Sequence, residues 1–440
     1  MFPNRLTLMR AGGWSALSAL LWLSVLTAAS ARGSTALPVA TGQIAPPGPV
    51  PGVVIDSTKN PDTEYIGSPS IVILSNGDYV VSHDWFGPGT TNDRSTVFRS
   101  TDRGVTWSEI AELQGQWWST LFTHRGGLYI LGVSREYGDV VIRRSNDGGR
   151  SWTTPTDEKS GRLFRGSFHC APVPVVLHQG RLWRAFEEKV GDGGWPRHFH
   201  SLMTSVPEDA DLLVASNWQR SNALPFEISW INAKCPGWLE GNAVVTPEGK
   251  LVNLLRMHTE PGPDDRYELT GGGRNIPRTE TAAVVQVSRD GRTQSFDPGS
   301  GFVHFPGSAS KFTIRFDPGS HRYWSLVQKI TNPYSGYDWA LSPYHQRNVL
   351  MLTSSADLKT WREEYVVLRF REGHALRSDA GVGFQYVDWQ FDGDDLAVVC
   401  RTAWGGHSYH DANFLTFHRL KNFRALKFAD SPADLGLNQP

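Results

Sequence analysis

A short pattern that recurs along the chain constrains its fold more than any other feature. Ser100-Thr-Asp102-Arg-Gly104-Val-Thr106-Trp107 reads S-x-D-x-G-x-T-W, and Ser145 to Trp152 repeats it 45 residues later. Ser355 to Trp361 is a worn copy without the glycine, Ser288-Arg-Asp290-Gly291 a fainter one, and Ser205 to Trp218 a copy with an insertion. The pattern has a mechanical meaning. The Asp carboxylate accepts backbone N–H bonds across a tight turn, the Gly takes φ > 0 without steric cost, and the Trp folds beneath the hairpin. Each copy therefore locks one β-hairpin. Fixed spacing between such units is the mark of a repeat architecture.

Paired strand signals fill the intervals. Ser70 to Ser75 and Asp78 to Ser82 flank Asn76-Gly77, a strong hairpin signal. Similar pairs flank Gly126-Gly127, Gly180, Gly249, Gly319 and Gly393, and no amphipathic helix of comparable strength competes. Each unit reads strand, turn, strand, loop, strand, locked turn, strand, which is a four-stranded propeller blade. The predicted fold is all-β, a propeller of six antiparallel blades. A seventh blade forms if Val53-Val54-Ile55 pairs with a C-terminal strand such as Phe414 to His418.

The N-terminus reads differently. Arg5 and Arg10 precede an apolar run from Trp14 to Leu26, and Ala29-Ser30-Ala31 has small-x-small character. That is the form of a secretory signal peptide, too short for a membrane span. Residues 1–31 are expected to be removed, leaving 32–440 as one propeller domain that is secreted or periplasmic. The formal charge of −1 becomes about −3 without those arginines, which gives no support for nucleic-acid binding. Three cysteines, Cys170, Cys235 and Cys400, make no disulfide framework. Zinc on Cys235 with His198 or His200, or on Cys170 with His169, matches no standard spacing, so no cofactor is expected beyond an exceptional structural zinc. A monomer without a membrane span is expected.

Blade topology places residues before any coordinates. The ends of second strands and the starts of first strands converge at the top of the central channel. Reading those positions gives His83 and Asp84, then Arg135, Glu136 and Tyr137, then His169, Glu187 and Glu188. It continues with Glu240, Arg256, His258, Lys311, Gln385, Tyr386, Asp388 and Arg401, with His407, His410 and Asp411 beyond. From this ring, His83, His169, Tyr137, Glu136, Glu240 and Asp388 are the candidate catalytic residues. Arg135, Arg256, His258, Lys311, Gln385, Tyr386 and Arg401 are the candidate substrate-binding residues. Histidines and carboxylates suit acid/base work, and guanidinium groups suit a carboxylate ligand. Trp85, Trp195, Trp230, Trp238, Trp339 and Trp404 fall on the same side, where aromatic faces suit sugars.

With its Asp-box repeats, the chain resembles the sialidase-like (BNR repeat) propeller superfamily over most of residues 32–440. Ile66 to Gly77 looks like the first-blade strand of sialidases, where an Arg-Ile-Pro motif supplies one of three arginines that bind the sialic acid carboxylate. This chain has Gly67-Ser68-Pro69 there, and Arg274-Asn-Ile-Pro277 is a look-alike in another blade. Ser82-His83-Asp84, Ser134 to Tyr137, His169 to Pro172 and Gln385 to Trp389 look closer to propellers acting on uronate or rhamnose–glucuronate polysaccharides. The resemblance implies a secreted enzyme acting on an acidic oligo- or polysaccharide. The ring holds the parts for two mechanisms. A glycosidase would use the carboxylates Glu136, Glu187, Glu240 and Asp388. A β-eliminating lyase would use His83, His169, Tyr137, Arg135 and Arg401. A non-catalytic glycan- or protein-binding propeller is the third reading. Pro261 to Arg278 and Thr331 to Gln346 are long enough to act as lids.

Overall fold

The computed structural model describes residues 48–192, 195–231, 237–258, 268–270, 274–276, 280–331, 343–372 and 380–436, the short pieces 268–270 and 274–276 by backbone alone. Its strands form six antiparallel blades, each of four strand positions, in the order of a six-bladed β-propeller. Blade 1 runs through Ser70–Ile73, Tyr79–Phe86, Arg94–Ser100 and Ser108–Gln114, with Tyr65–Ile66 extending its inner strand. Blade 2 comprises Trp117–His124, Gly127–Val133, Val140–Ser145 and Arg162–Phe164. In blade 3 the inner strand is split into Phe168–His169 and Val176–His178, followed by Arg181–Lys189, Phe199–Pro207 and Gln219–Arg220. Blade 4 has Trp238–Val245, Leu251–Met257 and Thr281–Val287, with Gln294–Ser295 and Phe302–His304 sharing the outer edge. Blade 5 is Thr313–Asp317, Arg322–Gln328, Val349–Ser355 and Trp361–Arg369.

Blade 6 settles the count. Val382–Asp392, Asp395–Trp404 and Phe414–Leu420 supply three strands, and Val53–Ser57 supplies the fourth. Val53 pairs with Phe417 and Val54 with Thr416, antiparallel. The expected pairing of the two chain ends is therefore present, but it completes the sixth blade instead of founding a seventh. One strand from the start of the fold thus closes the ring by forming the outer strand of the last blade.

All five copies of the repeated pattern join third to fourth strands. Asp102 Oδ1 accepts from the backbone N–H of Val105 at 3.1 Å and Thr106 at 2.9 Å, and Asp147 Oδ1 accepts likewise from Arg150 and Ser151. Gly104 has φ 91°, and a Cβ there would meet the Phe417 ring at 2.2 Å, so glycine is needed for both turn and packing. In the worn copy Leu358 adopts φ 61° with a full side chain, a conformation that costs about 1 kcal/mol or more.

The core lies between blade faces. Val72, Val80 and Val97 of blade 1 pack on Leu121, Leu128 and Ile130 of blade 2, and Leu350 and Leu352 of blade 5 pack on Phe384 and Trp389 of blade 6. Trp183, Trp238 and Trp389 are fully buried, each contributing on the order of 2–3 kcal/mol of apolar burial. No helix among the described residues is long and apolar enough to cross a membrane.

Candidate active site

One backbone device, used three times, aims side chains into the channel mouth. In blade 2 the register runs from Trp117↔Val133 to Thr120↔Leu131, so the inner strand carries one extra residue. Blade 4 does the same between Leu239↔Arg256 and Asn242↔Leu254, and blade 6 between Gln385↔Arg401 and Asp388↔Val399. Within each bulge one residue is left-handed: Trp118 at φ 48°, Glu240 at 51° and Tyr386 at 52°. Bulges re-aim side chains, and such strained residues cluster where function requires them. All three line one cavity of about 280 Å³, to which every blade contributes.

Glu240 and Tyr386 meet there. The Tyr386 hydroxyl donates to Glu240 Oε1 at 2.9 Å, and Arg256 Nη1 donates to Glu240 Oε2 at 2.8 Å. Burial pushes the Glu240 carboxyl up, but Arg256, then His169, and the two hydrogen bonds outweigh it and hold the pKa below the ordinary range. Burial and the Glu240 charge raise the Tyr386 phenol, against Arg256, Arg347 and Arg401. The resting pair is thus a protonated phenol donating to a carboxylate.

Two further guanidinium groups line the cavity without a carboxylate at ion-pair distance among the described residues. Arg401 donates to the His410 carbonyl and lies over the rings of Phe86 at 4.4 Å and Tyr386 at 4.9 Å. Arg347 donates to Gln385 Oε1 and to the Tyr344 carbonyl and lies over Tyr409 at 5.0 Å. Burial lowers Arg401 to about 10, so it remains cationic at neutral pH. Arg401 Nε and Arg256 Nη2 are buried without a hydrogen-bond partner. Buried donors without acceptors, one of them on Arg401, which has no carboxylate at ion-pair distance among the described residues, suit an anionic ligand.

Asp84 faces this cluster from blade 1. Its Oδ1 accepts from Ser68 N–H at 2.6 Å, its backbone carbonyl accepts from Gly67 N–H at 2.6 Å, and its Oδ2 is buried without a partner. A Cβ on Gly67 would lie 2.3 Å from the Asp84 carbonyl oxygen, so only glycine permits this clasp. Burial raises the Asp84 carboxyl to about 6, against the lowering effects of His83, its own backbone, Ser68 and Arg401. The Gly67-Ser68 stretch, which lacks the arginine of the sialidase pattern, holds the buried Asp84 carboxyl instead.

Seven of the predicted residues come together around the cavity: Glu240, Tyr386, Arg256, Arg401, His169, Tyr137 and Glu136. Tyr137 is pushed up to about 12 by burial, then by Glu136 and Tyr386, and Glu136 accepts from Asn92 Nδ2 at 3.0 Å. The other six are not among the lining residues. His83 contacts the Asp84 carbonyl at 3.0 Å and Asp56 Oδ2 at 2.8 Å, pinning the closing strand. Asp388 accepts from Ser70, Ile71 and Arg315, joining blades 6, 1 and 5. Lys311, lowered to about 8 by burial, donates to Thr313 Oγ1 and the Val387 carbonyl. Gln385 buttresses Arg347, Arg135 is exposed, and His258 packs behind Trp195 and Tyr344. In each case the side chain faces a blade interface or solvent instead of the channel mouth.

Of the aromatic candidates, Trp195 lines the cavity at 40 % exposure, whereas Trp85, Trp230, Trp238 and Trp404 pack into hydrophobic clusters and Trp339 lies outside the described residues. Cys235 also lies outside them. Cys170 donates to the Trp118 carbonyl and His169 binds Glu187, and no group of three or more His, Cys, Asp or Glu among the described residues is placed to hold a metal. Asp84, Arg347 and Trp118 are among the cavity residues absent from the predicted catalytic and binding sets. Arg347 stands at the entry to a third strand, which also starts at the channel top. Extending the topological reading to third strands would have found it.

No family model and no curated protein matches the chain. Solved structures do. A Hadza microbial sialidase aligns at 15 % identity and TM-score 0.53, over 85 % of this chain and 69 % of its own. A Dyadobacter fermentans protein of unknown function aligns at 14 % and 0.51, over 84 % and 100 %. An α-L-arabinofuranosidase of Fusarium graminearum aligns at 12 % and 0.50, over 84 % and 97 %. At these identities the likeness is one of fold, and the chemistry rests on the site itself.

Proposed function

We propose that this chain is a retaining, exo-acting glycoside hydrolase that removes a terminal acidic sugar. The observation that carries this reading is the Tyr386–Glu240 hydrogen bond of 2.9 Å in a cavity that also holds Asp84 and the cations Arg347 and Arg401. The sugar carboxylate docks on Arg347 and Arg401, with Arg256 beside them. Tyr386 Oη attacks the anomeric carbon while its proton passes to Glu240 Oε1. Asp84, protonated on the oxygen that has no partner, gives that proton to the glycosidic oxygen, the bond to the aglycone breaks, and the aglycone leaves as an alcohol. Water then attacks the anomeric carbon and loses a proton to Asp84. The bond to Tyr386 breaks, and Glu240 returns the phenol proton.

A phenol nucleophile has a physical rationale. A carboxylate nucleophile would approach the substrate carboxylate as a like charge, whereas a neutral phenol with an adjacent base does not. Sialidases use tyrosine where most glycosidases use two carboxylates. This favours a sugar whose carboxylate sits on the anomeric carbon over a uronate. A cavity at the small end of ligand pockets supports one sugar residue and attack at a chain end. Two fold neighbours are named as glycosidases, which agrees with the reading. Residues 1–31 serve as the secretory leader, and the mature chain acts as a monomer outside the cytoplasm.

The test is incubation of the purified mature protein with aryl glycosides of sialic acids and uronic acids and with uronate polysaccharides. Sugar release and the ultraviolet absorbance of unsaturated uronate are followed together. Release from a glycoside with an anomeric carboxylate, without that absorbance, is expected. A rise in absorbance would make the protein a lyase. A folded protein inert on every acidic glycoside would remove the enzymatic reading.

A further inference from the structure

Across the cavity from the free cations stands a wall that the mechanism does not use. His169, at 5 % exposure, lines the cavity, and its Nδ1 lies 2.8 Å from Glu187 Oε2. Glu187 is fully buried, and its other oxygen accepts from Gly241 N–H at 3.0 Å, beside Glu240. One buried carboxylate therefore fixes both the imidazole and the bulge that carries Glu240. The imidazole stacks on Phe199 with ring centres 4.5 Å apart, meets the Trp118 edge at 4.7 Å, and has Tyr137 beyond. With Nδ1 held by a carboxylate, Nε2 is the atom left for the cavity.

Placement turns this wall into a subsite. In a six-bladed ring, blade 2 stands across from blade 5 and blade 3 across from blade 6. Arg347 and Arg401 belong to blades 5 and 6, and Trp118 and His169 to blades 2 and 3. A pyranose docked with its anomeric carboxylate on the cations directs the substituent of the opposite ring carbon at His169. The neutral imidazole offers Nε2 as an acceptor and the cationic one as a donor, and a hydroxyl satisfies either. An acetamido N–H satisfies only the first, and its acetyl group must enter a wall of packed rings.

We propose that His169, oriented by Glu187 and walled by Trp118, is a specificity residue that selects a sugar acid bearing a free hydroxyl, in place of an acylated amine, on the ring carbon opposite the anomeric centre. This rests on the hydrolase reading for the direction in which the sugar docks.

The experiment compares kcat/KM for the methylumbelliferyl glycosides of N-acetylneuraminic acid and of its deaminated analogue, in which a hydroxyl replaces the acetamido group. Wild type is expected to prefer the deaminated glycoside by about 100-fold, the discrimination typical of steric fit in a packed pocket. His169→Phe should erase that preference mainly through KM, with an unchanged melting temperature as the check on folding, and His169→Gln should restore part of it. Equal turnover of the two glycosides by wild type, a preference for the acetylated one, or a ratio that survives His169→Phe would overturn the assignment. If neither glycoside turns over, the hydrolase reading fails, and calorimetric binding of the two free sugar acids decides the subsite. Tighter binding of the deaminated acid that is lost in His169→Phe upholds it, and equal or absent binding overturns it.

Discussion

Asp102 and Asp84 are the same residue type at opposite ends of one blade, and the protein treats them oppositely. Asp102, in the exposed turn, receives hydrogen bonds from Thr106 and Ser100 that lower its carboxyl to about 2. Asp84, in the channel mouth, is buried with one oxygen unpartnered, and burial raises it to about 6. Hydrogen bonds to the charged form dominate at one end and desolvation at the other. The turns spend their polar groups on holding the fold. The cavity keeps polar groups unsatisfied, as a site awaiting a ligand does.

The largest effect should come from the cavity. Tyr386→Phe removes the nucleophile, and kcat/KM is expected to fall by about 10³-fold or more with the fold intact. A loss under tenfold in steady-state kinetics would take Tyr386 out of the reaction. Asp84→Asn should lower kcat by about 10²–10⁴-fold and remove a fall in activity above pH about 6, where the wild-type acid is depleted. The same variant should be more stable than wild type at neutral pH. Folded wild type binds the Asp84 proton more tightly than the unfolded chain, so its stability falls as pH rises from about 4 to about 6, by on the order of 2–3 kcal/mol. Melting curves across that window check the sign, and parallel curves for variant and wild type would contradict the desolvation account.

His83→Ala separates neighbours in sequence. It should cost about 1–2 kcal/mol by releasing Asp56 and the closing strand, while turnover of the folded protein falls far less than in Asp84→Asn. Urea titration with kinetics on the same sample distinguishes the two positions. Asp102→Ala inverts the Asp84 pattern. Its melting temperature should drop by a few degrees with kcat unchanged, and the wild-type advantage should vanish as pH falls from about 4 toward 2, where Asp102 takes its proton. The smallest contrast compares two turn tryptophans. Trp107 Nε1 donates to the Gly104 carbonyl, whereas Trp361 Nε1 is buried without a partner. Trp107→Phe should cost about 1 kcal/mol more than Trp361→Phe. Equal costs in thermal unfolding would mean that the indole N–H bond contributes nothing to the turn.

The turns were legible because everything that makes them lies within eight residues. The blade count was not, because Val53–Ser57 and Phe414–Leu420 meet from opposite ends of the chain. Glu240, Arg256, Tyr386 and Arg401 could be read as strand ends in equivalent blade positions. His83 and Asp84, adjacent in one strand, differ in that Asp84 lines the cavity and His83 does not, and the difference has a general cause. Successive strand residues point to opposite faces, so a slip of one exchanges the channel for the blade interface. Gln385, one residue before Tyr386, is absent from the cavity lining in the same way. The bulges that aim Trp118, Glu240 and Tyr386 each insert one residue that no local pattern announced.

The central claim is that Tyr386 bonds covalently to the sugar. Its most direct test is a fluorinated acidic-sugar fluoride, which slows release of the glycosyl enzyme, followed by intact mass and peptide mapping. The account predicts one added sugar per chain, mapped to the peptide holding Tyr386 and absent from Tyr386→Phe. An adduct on Glu240 or Asp84, or inverted product with no adduct at all, would contradict it.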